Sequence, residues 1–273
     1  MRPKKSLGQN FLKSKKAISD MIRGGSVVRG DYVLEIGPGK GVLTEALLEA
    51  GAKVFAIEAD AELVKYLNEK FAPEIKNKSL VLIEGDVLEF SPSTALRATS
   101  YKLVANIPYY ITGAIFRKFL EDKFQPSSMT LLVQKEVAER IAGGPERSRG
   151  IVKESILSIS VKAYGEPKIV AKVPKRYFTP APKVDSAIIH VGDINKANFK
   201  DISEADFFEV VKKAFAQKRK TAMKNLSGVF SKEVLAKFFE ENSLNLMSRA
   251  EDLTLKDFIN LTKTLCPPKP KRK

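Results

Sequence analysis

The stretch "DYVLEIGPGKGVLTEALLEA", Asp31–Ala50, decides how the rest of the chain is read. "DYVLEIG" is a short apolar run of the kind that forms a strand buried on both faces, and "VLTEALLEA" has helical apolar spacing. Between them lie Gly37, Gly39 and Gly41. Glycines at a strand-to-helix turn tolerate positive φ and let main chain approach a ligand, while the first N–H groups of the following helix lack intrahelical partners. A dinucleotide fingerprint needs another Gly in sixth place, where Val42 stands, and this weakens a nicotinamide reading.

Working outward, the alternation repeats. "AKVFAIEAD" reads as a second strand, "AELVKYLNEKFA" as a helix and "SLVLIEGD" as a third strand; "KLVANIPYY", "GAIFRKFLED" and "MTLLVQKE" follow as strand, helix and strand. Such βαβ units predict an α/β fold with a mostly parallel sheet covered on both faces and ligands at the carboxyl ends of its strands. Two later runs, Ser155–Tyr164 and Asp185–Val191, are expected to pair antiparallel at the sheet edge. The three prolines of "VPKRYFTPAPKV" between them argue against regular structure. Beyond a polar connection at 192–203 the pattern is purely helical. Phe207, Val211 and Phe215 share a face and belong to a core rather than to base stacking, and Ser203, Ser231 and Thr254 are expected N-caps. The expected organisation is a sheet domain over 1–193 with a basic N-terminal segment, a helical RNA-binding domain over 194–262 and a basic disordered tail over 263–273.

Three strand ends carry polar groups. Gly37 and Gly39 follow the first, Glu58 ends the second about twenty residues on, where a carboxylate can accept from both ribose hydroxyls, and Asp86 ends the third, within reach of an adenine amine. Each acid alone reads as a cap or surface residue; glycine, Glu and Asp on consecutive strand ends point to an adenosine-type ligand. The fourth strand breaks at Asn106-Ile107-Pro108-Tyr109. Asn and Pro there mark either a turn or a site.

Composition narrows the function. The 273 residues carry 47 Lys and Arg against 32 Asp and Glu, a formal charge of +15. The excess sits in four acid-free clusters, Met1–Lys16, Pro167–Val184, Val210–Lys232 and Lys263–Lys273, which point to a polyanionic partner, most simply nucleic acid. One cysteine, Cys266, excludes an internal disulfide, and one histidine, His190, cannot supply His-rich metal chemistry. No apolar run reaches the roughly 20 residues of a membrane span, and the charged N-terminus lacks a signal-like apolar core. A cytoplasmic protein with no metal is expected.

These strand ends resemble class I S-adenosylmethionine-dependent methyltransferases, a Rossmann-like fold. "KKSLGQNFL", "LEIGPGKGVLTEAL", "GDVLEF", "VANIPYYIT", "LLVQKEVAERI", "FTPAPKVDSA", "AFAQKRKTAMKNL" and "RAEDLTLKDFINL", in that order, resemble the ribosomal RNA adenine N6-dimethyltransferase family of the KsgA type. The resemblance implies S-adenosylmethionine as cosubstrate, lined by Asn10, Leu12, Gly37, Gly39, Glu58, Asp86 and Asn106. It implies that Asn106 with the Ile107 or Pro108 carbonyl holds the target adenine amine, and that Tyr109 and Phe178 wall the base. The implied activity is dimethylation of N6 on two adjacent adenosines near the 3′ end of small-subunit rRNA, within an assembling small ribosomal subunit; separately, a monomer is the simpler expectation. The rival readings are an Erm-type enzyme acting on large-subunit rRNA and a non-catalytic assembly or transcription factor. Tyr110 stands where the family often has Asn, and "RGIVKESILSIS" replaces a Gly-Arg-Leu-Ser-Val-like sequence.

Overall fold

The computed structural model describes residues 4, 8–92, 96, 100–143 and 153–267. Two compact units emerge, one from 1–138 with 166–194 and one from 139–165 with 195–273. In the first, seven strands form one sheet: β2 (Tyr32–Ile36), β3 (Lys53–Glu58), β4 (Leu80–Glu84), β5 (Lys102–Asn106), β6 (Ser128–Gln134), β7 (Glu166–Val173) and β9 (Ser186–Gly192). Their order is β4-β3-β2-β5-β6-β9-β7. The first five are parallel, and β9 runs antiparallel to both β6 and β7. Helix α1 (Lys15–Gly24) precedes the sheet and α6 (Lys135–Ala142) follows β6, while α2 (Val42–Glu49), α3 (Ala61–Lys70), α4 (Ala72–Lys76) and α5 (Thr112–Glu121) connect parallel strands. Burial on both faces explains why β5 and β6 read as unbroken apolar runs: Leu103, Val104 and Ala105 with Leu131, Leu132 and Val133 have no exposed surface.

The edge differs from expectation. Ile156–Tyr164 is a helix, α7, not a strand. Ser155 caps it by accepting from Ser158 N, and the Ser158 hydroxyl returns the bond by accepting from Ser155 N. This capping box turns the apparent alternation of "ILSIS" into a helix burying Ile159, Val161, Ala163 and Tyr164. The strand that pairs with β9 is β7, whose Pro167 is tolerated at an outer edge and whose register shifts between Ile169 and Ala171. The Pro-rich segment also holds regular structure. Its Phe178–Thr179 forms β8, antiparallel to β1 (Phe11–Leu12), with Leu12 opposite Phe178.

The second unit is helical: α7 with α8 (Glu204–Ala214), α9 (Ala222–Leu226), α10 (Lys232–Glu241) and α11 (Leu255–Leu265). Ser203, Ser231 and Thr254 cap α8, α10 and α11 through Asp206 N, Val234 N and Asp257 N. Phe207 and Val211 are fully buried, and Phe215 stacks on Phe258 with centroids 6.0 Å apart, so these aromatics are core. Lys263 to Leu265 belong to α11 rather than to a tail, while 268–273 fall outside the described residues. Among the described residues no helix is long and apolar enough to cross a membrane.

Candidate active site

The three glycines after β2 do different work. Their φ values are +64°, +60° and +75° at Gly37, Gly39 and Gly41, a region that L side chains enter at a cost. A Cβ at Gly37 would meet nothing within 4 Å, so the turn borders open space there. At Gly39 it would lie 3.1 Å from the Phe11 ring, and at Gly41 only 2.4 Å from the Phe71 ring. Gly41 is also the N-cap of α2 and offers no side chain to its N–H groups. The result is a cradle with main-chain donors at its rim.

Glu58 closes β3 beside this cradle. Its two carboxylate oxygens accept from Gly39 N at 3.1 Å and Asp60 N at 3.0 Å, which fixes the side chain while leaving each oxygen a lone pair. Burial raises its pKa, against those two N–H groups. Gly85 N donates to the Glu58 carbonyl at 3.0 Å, so Asp86 stands next to the same strand end; it is exposed and accepts from Leu88 N at 2.8 Å. Beneath the turn, Glu35 is 1% exposed and its Oε2 has no hydrogen-bond partner among the described residues. Burial pushes its pKa up to about 8; Thr44 opposes the shift and the charge of Glu58 adds to it.

At the end of β5 the Asn106 Nδ2 donates to the Asn10 carbonyl at 3.2 Å. With the amide nitrogen so engaged, Oδ1 is the group left to accept. Ile107 is 2% exposed, so what it offers a ligand is backbone, and the Pro108 carbonyl already accepts from Ile111 N at 3.2 Å. Tyr109 begins a short 3-10 turn (Tyr109–Ile111) and is half-buried; its hydroxyl bonds Ser186 Oγ at 2.6 Å, which anchors the far end of the side chain. Burial raises its pKa, so the phenol stays neutral at physiological pH.

A strap built from Lys4 and Gly8–Lys13 crosses these strand ends. Lys4 Nζ and Gln9 Nε2 reach the two oxygens of Asp60 at 2.7 and 3.0 Å. Asp60 is buried, which disfavours its charge, but Lys4 and Gln9 win and hold its carboxyl below the usual range. Further along, Gly8 lies against the Tyr110 ring, Asn10 holds Asn106, Phe11 covers Gly39, and Lys13 N donates to the Tyr177 carbonyl at 2.8 Å. The strap thus links Asn10 with Gly39, Asp60 and Asn106, residues up to 96 positions apart in the chain.

Two expected residues sit differently. Phe178 is 3% exposed and packs in the core with Leu12, Ile18 and Val173, so it supports the strap from below rather than standing as an open wall. Leu12 is 7% exposed and likewise buried, opposite Phe178 in the β1–β8 ladder. Sequence reading missed Lys4, Gln9, Phe11, Asp60, Ser186 and Glu35. Asp60 carried a signal, being an Asp just before a helical run and in fact the N-cap of α3. The long-range contacts of Lys4, Gln9 and Ser186 carried none.

A seven-stranded sheet in this order, with the last strand in sequence antiparallel and a glycine turn after the first parallel strand, is the Rossmann-like class I methyltransferase fold. The chain belongs to the ribosomal RNA adenine dimethylase family, whose model matches residues 1–266. It is 38% identical over 267 residues to ribosomal RNA small subunit methyltransferase A of Dehalococcoides mccartyi, covering 96% of this chain and 88% of that one. The protein of the same name from Clostridium botulinum is 37% identical over 262 residues, with 94% and 92% covered. A solved dimethyladenosine transferase from Plasmodium falciparum superposes with a TM-score of 0.76 at 25% identity, covering 92% of this chain and 95% of that one. The 23S rRNA methyltransferase ErmE shares the fold, with a TM-score of 0.73 at 24% identity and 94% and 99% covered.

Proposed function

We propose that this chain transfers methyl groups from S-adenosylmethionine to N6 of two adjacent adenosines near the 3′ end of small-subunit rRNA, acting as a single chain during assembly of the small subunit. The observation that carries the reading is the amide of Asn106, turned by the Asn10 carbonyl so that its oxygen is left to receive an amine proton.

The residues around the glycine turn fit S-adenosylmethionine: open space at Gly37, N–H groups at the start of α2 that no side chain caps, a fixed Glu58 for ribose hydroxyls and Asp86 for the adenine amine. When bound, that molecule supplies a methyl group on a sulfonium already activated for transfer. The chain's residues supply position. Asn106 Oδ1 with the carbonyl of Ile107 or Pro108 accepts the two protons of the target amine, which turns its lone pair out of conjugation and toward the donor. Tyr109, held by Ser186, offers a ring to the base taken out of its stack. Orientation is the main contribution, and the proton released after transfer passes to water. The basic loop at Lys218, Arg219 and Lys220 contacts RNA phosphates.

The test offers labelled S-adenosylmethionine with small subunits, large subunits and protein-free rRNA, followed by nucleoside mass spectrometry. Dimethyladenosine is expected from small-subunit RNA; label confined to large-subunit RNA would replace the target. Asn106→Ala is expected to cut transfer by about a thousandfold while RNA affinity stays within about twofold. An Asn106→Ala protein with near-normal turnover would remove the amide from the mechanism.

A further inference from the structure

Resting on the reading as an rRNA methyltransferase, we propose that the apolar tip Leu246–Met247 of the helical unit is an RNA contact, seated on the sugar and base faces of a strand whose phosphates lie on the basic loop beside it. Leu246 is 49% exposed and Met247 74%, the most exposed of the large hydrophobic side chains among the described residues. Such exposure is not the result of a loose loop. Asn245 braces the tip, its side-chain oxygen accepting from Met247 N and its carbonyl from Ser248 N, each at 2.8 Å, while Leu244 N donates to the Phe239 carbonyl at 2.8 Å.

The tip is joined to the basic loop by one bond. Ala222 N, at the start of α9, donates to the Ser248 carbonyl at 2.9 Å. Met247 directly precedes Ser248, and Lys220 stands two residues before Ala222. The loop is braced as well: Asn225 Nδ2 donates to the carbonyls of Ala214 at 2.6 Å and Gln217 at 3.2 Å, and Lys220 N donates to the Gln217 carbonyl at 3.0 Å. Gln217, Lys218, Arg219 and Lys220 line an open cleft of about 550 Å³. A polyanion drawn into that cleft passes the tip.

Charge selects the partner. Lys218, Arg219, Lys220 and Lys224 are all exposed on the two sides of Ala222, whose N–H is bonded to the tip, and the run Val210–Lys232 contains no acidic residue. An apolar protein surface would have to desolvate these cations, whereas RNA pairs them with phosphates and presents sugar and base faces to apolar or polarisable side chains.

The experiment measures binding of the full-length protein to protein-free small-subunit rRNA between about 50 and 300 mM salt. The Leu246→Ala/Met247→Ala double variant is expected to weaken binding about five- to tenfold at every salt concentration, with the slope of log K against log salt unchanged. The Lys218→Ala/Arg219→Ala/Lys220→Ala triple variant is expected to flatten that slope by about two to three units. Leu246→Met/Met247→Leu, which keeps the apolar surface, should bind as wild type. Wild-type affinity in the double variant, or a loss seen only with assembled subunits, would overturn the proposal, the latter by placing a protein on the tip. Methyl transfer by the wild-type protein in the same preparation separates failure of the tip from failure of the enzymatic reading.

Discussion

Asn106 and Glu35 illustrate two kinds of residue at the same end of the sheet. Asn106 stood out because an Asn-Ile-Pro-Tyr break at a strand end marks a turn or a site, and the family resemblance is what favoured the site. Its orientation was not legible, since the Asn10 carbonyl that sets it is 96 residues away. Glu35 read as an ordinary strand residue within "VLEIG", and its cost appears only when both faces of β2 are seen to be covered. Its pKa, raised to about 8 from an ordinary 4.5, keeps it protonated in the folded state at neutral pH. The unfolded chain ionises first, so the contribution of this carboxyl to stability is full below about pH 4.5 and is lost as pH rises toward 8. Glu35→Gln, which cannot ionise, should therefore gain on wild type across that window, by about 5 kcal/mol at most. Urea unfolding at pH 5 and pH 8 measures this; an equal difference at both values would show that Glu35 titrates normally.

At the scale of elements, the βαβ alternation was readable because each strand is a compact apolar run and each helix has a distinct period. The failures have local causes. "ILSIS" satisfies both strand and helix patterns, and the capping box at Ser155 and Ser158 decides between them. Phe178–Thr179 became a strand because the distant Phe11–Leu12 supplied a partner, which no local pattern announces. The glycine turn shows how tightly the elements are joined. At Gly41, φ is +75° and a Cβ would come within 2.4 Å of the Phe71 ring, at the C-cap of α3. Gly41→Ala combines a disfavoured backbone with overpacking and is expected to cost about 3 kcal/mol. At Gly37 the same substitution meets no atom within 4 Å, so its penalty is backbone strain alone and its main effect should fall on cofactor affinity. Equal loss of thermal stability in the two variants would contradict this division of labour.

At the scale of the whole molecule, charge and compactness carry different information. The boundary between the units was only partly legible: 166–194 lies in the sheet unit, whereas α7, read from the sequence as a strand of that sheet, groups with the helical unit. Charge was legible directly. A formal +15 gathered into acid-free runs is what a surface reading phosphates requires, and the core has no use for it. If about six to ten phosphates are neutralised, each releases condensed counterions, and the affinity for rRNA should fall about a thousandfold or more between roughly 50 and 200 mM salt. The uncharged machinery of Asn106 and Tyr109 does not share this dependence, so turnover at saturating RNA should stay nearly constant over the same range while the KM for RNA rises. A flat KM would mean that the basic clusters do not meet the backbone. A falling turnover at saturation would mean instead that salt acts on the catalytic site, and that the same cations help to place the base.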